Sequence, residues 1–320
     1  MTLPPGRLLV VDGNNLLHRS FHSPVGREVT TDTGAPANAL FGLLMLVMRA
    51  LGESEATAWA IALDGPGPTW RHARYPDYKK TRTGMDPALI AQFRLAIDFC
   101  RALGIPLIHE PAIEADDALA TLVVLARAHG LETVILTGDK DAFQLVAPDV
   151  RVFLPRHGGG ALEVVDAPSV LERLGVRPDQ VVDFKALAGD ASDSIPGVRG
   201  VGASYARDLL SAHQTLDGVY AALETAPDTI RATLRDKLED ERGVAYLSRD
   251  LARMVTNVPL SLSIDDLSIE GQDPTRAHVL TTPLGLTGIA RRFPRLPVAG
   301  ARRQDSPRPT PTYVQQQLFG

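Results

Sequence analysis

The stretch IEADDALATLVVLAR, residues 113–127, places three carboxylates within four positions, directly before a nearly continuous apolar run. Glu114, Asp116 and Asp117 repel one another when they are ionised, whereas the run that follows has the composition of a buried helix. Like charges at the entrance to a hydrophobic core destabilise a fold unless cations neutralise them. This stretch therefore predicts an acidic site at the edge of a core.

The composition limits the class of protein. The chain has 320 residues, of which 44% are hydrophobic, enough for one substantial core and two subdomains. Its single cysteine, Cys100, has no Cys or His at zinc spacing, so we expect it to be a core residue. The sequence shows no signal-peptide pattern, and its longest apolar stretch is shorter than the roughly 18–20 residues of a membrane span. We expect a cytoplasmic monomer without a membrane partner.

Short apolar segments alternate with helical patterns through the first half of the chain. This alternation predicts an α/β fold with a central, mostly parallel sheet and helices on both of its faces. The three helical patterns each end in glycine, a frequent helix stop. The predicted strands are 7–11, 57–63, 105–109 and 133–137, and the predicted helices are 39–52, 86–104 and 116–130.

Acidic residues follow each of the four predicted strands. Because ligand sites form at the carboxyl ends of parallel strands, we expect these side chains to converge. Any single one of them is more readily explained as a helix N-cap or a turn residue, but equivalent positions after all four strands favour a shared site. All-oxygen ligation without Cys or His indicates Mg²⁺ or Mn²⁺. The seven acids are Asp12, Asp64, Glu114, Asp116, Asp117, Asp139 and Asp141.

A second acidic element lies in FKALAGDASDSIPGVRGVGASYARDLL, residues 184–210. Asp190 and Asp193 would share a face if they lay on a helical turn. The glycines of PGVRGVG permit a tight loop before a helix that we expect from about Ala203, and N–H groups at a helix start suit phosphate. A plain helix-loop-helix turn explains the glycines equally well.

A basic segment, WRHARYPDYKKTRTG at residues 70–84, lies between the second and third predicted strands. Between Arg71 and Arg82 it carries five Lys or Arg residues with Tyr75 and Tyr78 interleaved. A solvated, charged connection would explain the charges alone. Cations combined with aromatic rings are typical of surfaces that bind a nucleic-acid strand.

Five motifs in this order resemble the flap endonuclease family, and in particular the 5′-nuclease domain at the N-terminus of bacterial DNA polymerase I. They are VVDGNNLLHRSFH, ALDGPGPTWRHARYPDYKKTR, EADDALATL, LTGDKDAFQLV and the segment 184–210. The resemblance covers roughly residues 5 to 293 and implies a PIN-like 5′-nuclease fold. Because little chain follows it, we expect a stand-alone nuclease without a polymerase.

The resemblance implies roles for individual residues. Asp190 and Asp193 join the seven strand-end acids as metal ligands for two or three Mg²⁺ or Mn²⁺ ions, with Asp139 catalytic. Arg19 would steer phosphate, and Tyr78 and Lys79 would be the arch pair, with Lys79 neutralising the scissile phosphate. Backbone carbonyls of Pro196, Val198 and Val201 would hold K⁺ beside DNA phosphate. The expected DNA-binding residues are Arg19, Tyr78, Lys79, Lys80, Arg82, Lys185, Gly197, Arg199, Gly200 and Gly202.

The resemblance also predicts the domain organisation and one weak point. We expect an α/β nuclease core at 1–180 with a basic helical arch around 66–95, and a helical subdomain with a helix–three-turn–helix motif at 181–293. Relatives usually carry a lysine after the last loop glycine, whereas this chain has Ser204 and Tyr205. The grip on duplex DNA could therefore be weaker at this loop.

The predicted activity is metal-dependent hydrolysis of phosphodiester bonds near single-strand/duplex junctions, in primer and flap removal during DNA replication and repair. The formal charge of −5 becomes +4 when the nine acids are left out, so the remaining surface need not repel DNA. DNA with 5′ flaps or 5′ ends is the expected substrate, and RNA–DNA hybrids are a further candidate substrate. The alternatives are a single-strand ribonuclease of PIN type and a catalytically silent DNA-binding module.

The last segment differs in composition from the rest of the chain. Residues 294–320 are rich in proline and poor in apolar residues, which predicts disorder. The segment ends in QQQLF, similar to the Q-x-x-L-F peptide by which bacterial replication proteins bind the sliding clamp. A tethered peptide of this kind would raise the effective concentration of nuclease at DNA. The expected clamp contacts are Gln315, Leu318 and Phe319.

Overall fold

The computed structural model describes residues 6–82, 84–156, 161–269 and 281–288. A six-stranded sheet with the strand order β3-β2-β1-β4-β5-β6 forms its centre. The pairs from β3 to β5 are parallel, and β6 pairs antiparallel with β5. The strands are β1 (Arg7–Asp12), β2 (Ala58–Ala62), β3 (Leu107–Ile108), β4 (Glu132–Leu136), β5 (Val150–Pro155) and β6 (Leu162–Val165).

The helices predicted at 39–52, 86–104 and 116–130 are present as α2, α4 and α5, and the helix expected from about Ala203 is α8. Further helices lie in both halves of the chain. None of the helices in the described ranges is both long and apolar enough to cross a bilayer. The helices are α1 (Gly13–His22), α2 (Asn38–Ser54), α3 (Trp70–Arg74), α4 (Pro87–Leu103), α5 (Ala115–Ala128), α6 (Ala167–Leu174), α7 (Val181–Ala188), α8 (Ala203–His213), α9 (Leu216–Thr225), α10 (Ala232–Asp240) and α11 (Arg242–Ala252).

The central strand β1 is buried on both faces of the sheet, and its alternate side chains enter different cores. Leu8 and Val10 pack in the core that contains α5, whereas Leu9 and Val11 pack in the core that contains α2 and α4. Successive side chains of a strand point to opposite faces, so a continuous apolar run is what a doubly covered parallel strand requires. The predicted α/β architecture is confirmed.

Two details of the core differ from the sequence prediction. The helix expected to stop at Gly52 continues to Ser54, because Gly52 is exposed and the left-handed residue that ends the helix is Glu55, with φ 53°. Strands β5 and β6 were not predicted, since the exposed Arg151 interrupts the apolar run of β5 and β6 is an edge strand of four residues.

Helices α7 to α11 form a helical subdomain that shares the core on the α5 side of the sheet. Ala186 and Leu187 of α7 belong to the same buried cluster as Leu122 of α5. The chain between α7 and α8 is a turn, with paired backbone hydrogen bonds between Asp190 and Ile195 at 2.8 Å in both directions. Asp190 and Asp193 therefore lie in a turn closed by these two bonds, and not in an α-helix.

Arg71 connects the basic segment to both halves of the molecule. Its guanidinium, of which only 2% is exposed, donates to both carboxylate oxygens of Asp117 at 2.8 and 2.7 Å. It also donates to the carbonyls of Leu251 at 2.9 Å and Arg253 at 2.8 Å, at the end of α11. This one side chain joins α3, the first turn of α5 and the helical subdomain.

Part of the predicted organisation lies outside the described residues. Position 83 of the predicted arch and the tail from 289 onward, including the predicted clamp contacts Gln315, Leu318 and Phe319, belong to this part.

We expect Arg71→Met to lower the free energy of unfolding by roughly 3–5 kcal/mol, because it leaves the Asp117 carboxylate buried without its cation. Arg74→Met is the matched control, since Arg74 lies on the same short helix and is exposed. Urea denaturation followed by circular dichroism measures both changes. Equal unfolding free energies for the two variants would show that Arg71 does not hold this junction together.

Candidate functional site

Asp12 is the last residue of β1 and caps helix α1. Its side chain accepts from the Asn15 N–H at 3.0 Å and from the Thr137 hydroxyl at 2.6 Å. Thr137 directly follows β4, so one buried carboxylate connects the ends of two neighbouring strands. The predicted convergence of strand-end side chains is present at these positions.

Asp64 lies two residues beyond β2 and is fixed by its neighbours on both sides. One of its carboxylate oxygens accepts from the Asn14 amide at 2.5 Å, and its own N–H donates to the same side chain at 3.0 Å. The other oxygen accepts from the Ala115 N–H at 2.8 Å, at the start of α5. Asp64 thereby joins the ends of β1 and β2 to the helix that carries the acidic stretch.

Asp139 and Asp141 are presented by a short 3₁₀-helix, Lys140–Leu145, after β4. Asp139 caps this helix by accepting from the Asp141 N–H at 2.9 Å, and its own N–H donates to the Thr137 hydroxyl at 2.9 Å. The Gly138 N–H donates to the Asn15 side chain at 2.8 Å. Both carboxylates are thus fixed relative to Asp12.

Asp116 lies among these acids without a hydrogen-bond partner within the described ranges. Burial raises its pKa well above the usual value, and the neighbouring carboxylates of Asp12 and Asp139 raise it further. Burial likewise raises the pKa of Asp12 to about 7, although the hydrogen bonds from Thr137 and Asn15 oppose the shift. When these crowded carboxylates are all ionised they repel one another, so a bound cation would stabilise the ionised site.

Lys79 reaches into the cluster from the basic segment. Its ammonium donates to Glu114 at 2.5 Å, and its N–H donates to the Asp193 carbonyl at 2.9 Å. Its φ of 55° is a left-handed conformation that costs a residue other than glycine roughly 1–2 kcal/mol. The strained backbone therefore persists because these contacts fix it.

Glu114 is surrounded by cations and hydroxyl donors. Burial alone would raise its pKa, but the Arg71 and Lys79 charges lower it to about 2. Tyr78 donates its hydroxyl to Glu114 at 3.0 Å and to Asp193 at 3.3 Å. Glu114 is therefore ionised at neutral pH.

Asp193 and Asp190 connect the turn after α7 to this site. Arg82 donates to Asp193 at 2.5 Å. Lys185 donates to Asp190 at 2.6 Å and also pairs with Asp141. One lysine of α7 therefore bridges the sheet edge and the helical subdomain.

The pKa values of both partners in this bridge are raised, for different reasons. Burial raises the pKa of Asp141 to about 6, although Lys185 opposes that shift, while the pKa of Lys185 is raised by Asp141 and Asp190 against the effect of its burial. A cleft of about 420 Å³ opens beside these groups, lined among others by Asn15, Asp139 and Asp190.

Asp117 differs from the other acids because both of its oxygens are engaged by the protein. Arg71 holds the carboxylate on two sides, and the Val255 N–H donates to it at 2.8 Å. Its predicted role as a metal ligand stays a prediction. As the side chain stands, it ties α5 to the chain beyond α11.

No group of three His, Cys, Asp or Glu side chains in the described ranges is close enough together to hold one metal ion in this arrangement. Several of the acids form ion pairs within the protein instead. Lys79 pairs with Glu114, Arg82 pairs with Asp193, and Lys185 pairs with both Asp141 and Asp190. Metal binding would therefore require some of these side chains to move. The donors present are all oxygen atoms, which suit a hard divalent cation.

The predicted nucleic-acid residues differ in their exposure. Tyr78 is only 4% exposed and its hydroxyl is bonded to two acids, so its ring does not offer a free stacking face in this arrangement. Arg19 donates to the Pro155 carbonyl at 2.9 Å, at the end of β5. Lys80 is exposed and pairs with Asp77, and Arg199 is exposed on the loop before α8.

The sequence analysis missed several residues that organise the site. Asn14, Asn15 and Thr137 had a signal, since they directly adjoin strand ends in VVDGNN and LTGD. The role of Arg71 had no signal in the sequence, because Arg71 is one of several cations in a basic segment. Its contacts with Leu251 and Arg253 span about 180 residues of chain.

Solved structures share this fold at low sequence identity. The T5 5′-exonuclease, in a structure titled as having divalent metal ions (zinc) bound, aligns with a TM-score of 0.63 and 18% identity, over 90% of this chain and 97% of that one. The catalytic core of Rad2 in complex with DNA substrate aligns with a TM-score of 0.52 and 16% identity, over 88% and 87% of the two chains.

Curated relatives are more similar in sequence. DNA polymerase I of Caldicellulosiruptor bescii is 33% identical over 289 residues, which cover 90% of this chain and 33% of the relative. DNA polymerase I of Bacillus caldotenax is 34% identical over 289 residues, covering 90% and 32%. This chain thus spans about one third of the length of these relatives.

Two family models cover most of the described chain. The 5′-3′ exonuclease N-terminal resolvase-like domain matches residues 7–175, and the 5′-3′ exonuclease C-terminal SAM fold matches residues 176–275. The first model alone matches more than half of the chain, and the second coincides with the helical subdomain. The chain belongs to the 5′-3′ exonuclease family.

Proposed function

We propose that this protein is a divalent-metal-dependent 5′ nuclease that hydrolyses phosphodiester bonds of DNA near single-strand/duplex junctions. Its activity combines 5′-3′ exonuclease and flap-endonuclease cleavage, as in primer and flap removal during replication and repair. Membership of the 5′-3′ exonuclease family supports the reaction class. The DNA and divalent metal ions in the titles of fold neighbours support the substrate and the cofactor.

The observation that carries the proposal is that the acidic side chains following β1, β2, β3 and β4 lie at one edge of the sheet. Asp12 and Asp116 have raised pKa values because they are buried among other carboxylates. A purely structural site would gain stability from replacing such acids, whereas a metal site needs them. The catalytically silent alternative gives no reason for keeping so many.

Mg²⁺ or Mn²⁺, as two or three ions, fits the all-oxygen donor set. When bound, such ions lower the pKa of a coordinated water and stabilise charge on the phosphodiester. Asp12, Asp64, Asp116, Asp139 and Asp141 would hold them at the sheet edge, with Glu114 and Asp117 beside them. Asp190 and Asp193 would hold the more distant ion across the cleft.

Two cations of the chain act on the phosphate directly. Lys79 reaches the carboxylate cluster from a strained backbone position, where its ammonium can neutralise charge on the scissile phosphate. Arg19 of α1, which donates to the Pro155 carbonyl at the end of β5, would orient the same group. In hydrolysis, the water oxygen bonds to phosphorus while the phosphorus–oxygen bond to the leaving strand breaks.

The loop before α8 would bind the duplex part of the substrate. Gly197 and Gly200 have φ values of 62° and 83°, which turn the chain sharply ahead of the helix. The carbonyls of Pro196, Val198 and Val201 would share a K⁺ ion with a DNA phosphate.

A tail ending in Gln315, Leu318 and Phe319 would tether the nuclease to the sliding clamp. The sequence QQQLF at the end of a proline-rich segment supports this partner. Tethering would act on recruitment and leave the chemistry at the sheet edge unchanged.

We expect Asp139→Asn to lower cleavage of a 5′-labelled flap duplex in Mg²⁺ at least about a hundredfold. The asparagine oxygen can still accept the Asp141 N–H, so the 3₁₀-helix should keep its cap and the circular dichroism should match wild type. Product lengths on a sequencing gel locate the cut, and a reaction with chelator in place of metal measures the background. Undiminished cleavage by a folded Asp139→Asn protein would overturn the proposed site, and a wild type that binds the duplex without cutting would support the silent module.

Replacing the adjacent acids Asp116 and Asp117 by asparagine should change the free energy of unfolding in opposite directions. The folded-state pKa of Asp116 is raised above 3.8, so its ionisation destabilises the metal-free protein as pH rises. At pH 8 in a chelator, Asp116→Asn should therefore raise the free energy of unfolding by roughly 1–3 kcal/mol. Asp117→Asn should lower it by roughly 3 kcal/mol, because it removes the partner of the buried Arg71.

The same two variants test metal binding. Adding Mn²⁺ should raise the unfolding midpoint of wild type, and this rise should be smaller in Asp116→Asn. A destabilising effect of Asp116→Asn, or a full Mn²⁺ response in that variant, would contradict its assignment as a ligand.

Removal of residues 315–320 should abolish binding to a bacterial sliding clamp while leaving flap cleavage unchanged. The physical reason is that the Leu318–Phe319 pair would fill an apolar pocket of the clamp and takes no part in the chemistry at the acids. Surface plasmon resonance on immobilised clamp measures the first effect, and the flap assay measures the second. Equal clamp affinity for the intact and shortened chains would disprove the tether.

A further inference from the structure

The glycine loop, residues 197–202, is anchored to α11 and to the end of α10. The Gly197 N–H donates to the buried Ser248 hydroxyl at 3.0 Å, and the Arg199 N–H donates to the Glu241 carboxylate at 3.0 Å. These contacts hold the loop on the side that faces α11. The backbone of Gly200 and Gly202 faces outward and is exposed.

Lys237 of α10 places its ammonium directly over this exposed backbone. Its nitrogen lies 2.7 Å from the position that a Cβ atom on Gly200 would take, so a side chain there would displace the ammonium from its present position. Lys237 is exposed and has no carboxylate within ion-pair distance among the described residues. The lysine therefore occupies the loop surface without an internal electrostatic partner.

Further cations lie at or next to this surface. The Glu241 carboxylate accepts a backbone N–H of the loop, and Arg199 adds an exposed guanidinium. Arg231 lies over the Tyr205 ring, with its guanidinium carbon 5.4 Å from the ring centre. Two arginines and one lysine thus lie at or next to the loop.

The start of α8 adds hydrogen-bond donors to the same surface. Gly202 caps this helix without a side-chain hydrogen bond. The N–H groups of a first helical turn have no partners within their own helix. An anion at Lys237 could accept from them as well.

We propose that Lys237 supplies the phosphate-binding cation of the glycine loop, in place of the lysine that relatives carry at the position of Ser204. The ligand is a backbone phosphate of the duplex part of the substrate. The ammonium of Lys237 comes from α10 and lies at Gly200. A lysine at position 204 would come from the first turn of α8, and both positions place a positive charge next to the same loop. This inference rests on the proposed function, because it concerns how that nuclease holds duplex DNA.

Lys237→Gln tests the assignment, with Arg151→Gln as the matched control. Arg151 is also exposed and lies near the amino end of β5, at the sheet edge opposite the acids. Fluorescence anisotropy with a labelled flap duplex in a chelator gives Kd at several salt concentrations. Lys237→Gln should weaken binding about three- to tenfold and reduce the slope of log Kd against log salt by about 0.9, as loss of one phosphate contact requires. Arg151→Gln should match wild type.

A double variant moves the charge back onto α8. Lys237→Gln with Ser204→Lys should restore most of the lost affinity and the salt slope. Both positions are exposed, and the unfolding midpoint of each variant should equal that of wild type.

The outcomes separate this inference from the proposed function. Equal Kd and salt slope for wild type and Lys237→Gln, with wild type binding and cutting the flap, would overturn the role of Lys237 alone. An equal loss in Arg151→Gln would also overturn it, because the effect would then reflect net charge. A wild type that neither binds the duplex nor cuts it would overturn the proposed function itself.

Discussion

Electrostatic repulsion among carboxylates at one edge of the sheet is the constraint on which the rest of this structure depends. Parallel strands bring their carboxyl ends together, so acids that are distant in the chain meet there whether or not they are neutralised. The protein offsets part of the repulsion with its own cations. Lys79 pairs with Glu114, and Lys185 pairs with Asp141 and Asp190. Each of these cations comes from a segment outside the sheet, so the charge balance also draws those segments onto the site.

Asp116 and Asp117 show how one helical turn separates two tasks. Neighbouring residues of an α-helix point about 100° apart, so the two carboxylates leave the first turn of α5 in different directions. Asp116 faces the other acids and its pKa is raised. Asp117 faces Arg71, which also grips the end of α11. The same stretch of sequence thus contributes a side chain to the reactive cluster and a fixed ion pair to the junction between subdomains.

The helical subdomain contributes more than a second binding surface. Its core is continuous with that on the α5 side of the sheet, and its α7 carries the lysine that bridges to Asp141. On its outer side, α10 and the start of α11 hold the glycine loop through Lys237 and Glu241. A duplex bound at that loop would therefore lie at a fixed distance from the acids, which is the geometric requirement for cleavage at a defined junction.

The sequence by itself determined the α/β architecture, the four parallel strands with acids after them and the helix from Ala203, because local periodicity and strand-end position are properties of contiguous residues. It did not predict β5 and β6, because Arg151 interrupts the apolar run of β5 and β6 has only four residues. It also misplaced the end of α2 at Gly52, and it did not predict the turn between Asp190 and Ile195, which paired backbone hydrogen bonds close.

Only the tertiary structure decided which charges are paired. Arg71 reads as part of a basic segment, yet it is buried against Asp117, and Lys237 carries no motif at all, yet it covers Gly200. The physical reason is that an ion pair or a close approach depends on distances between residues far apart in the chain. Periodicity and composition describe neighbours in sequence, and packing alone brings the other partners together.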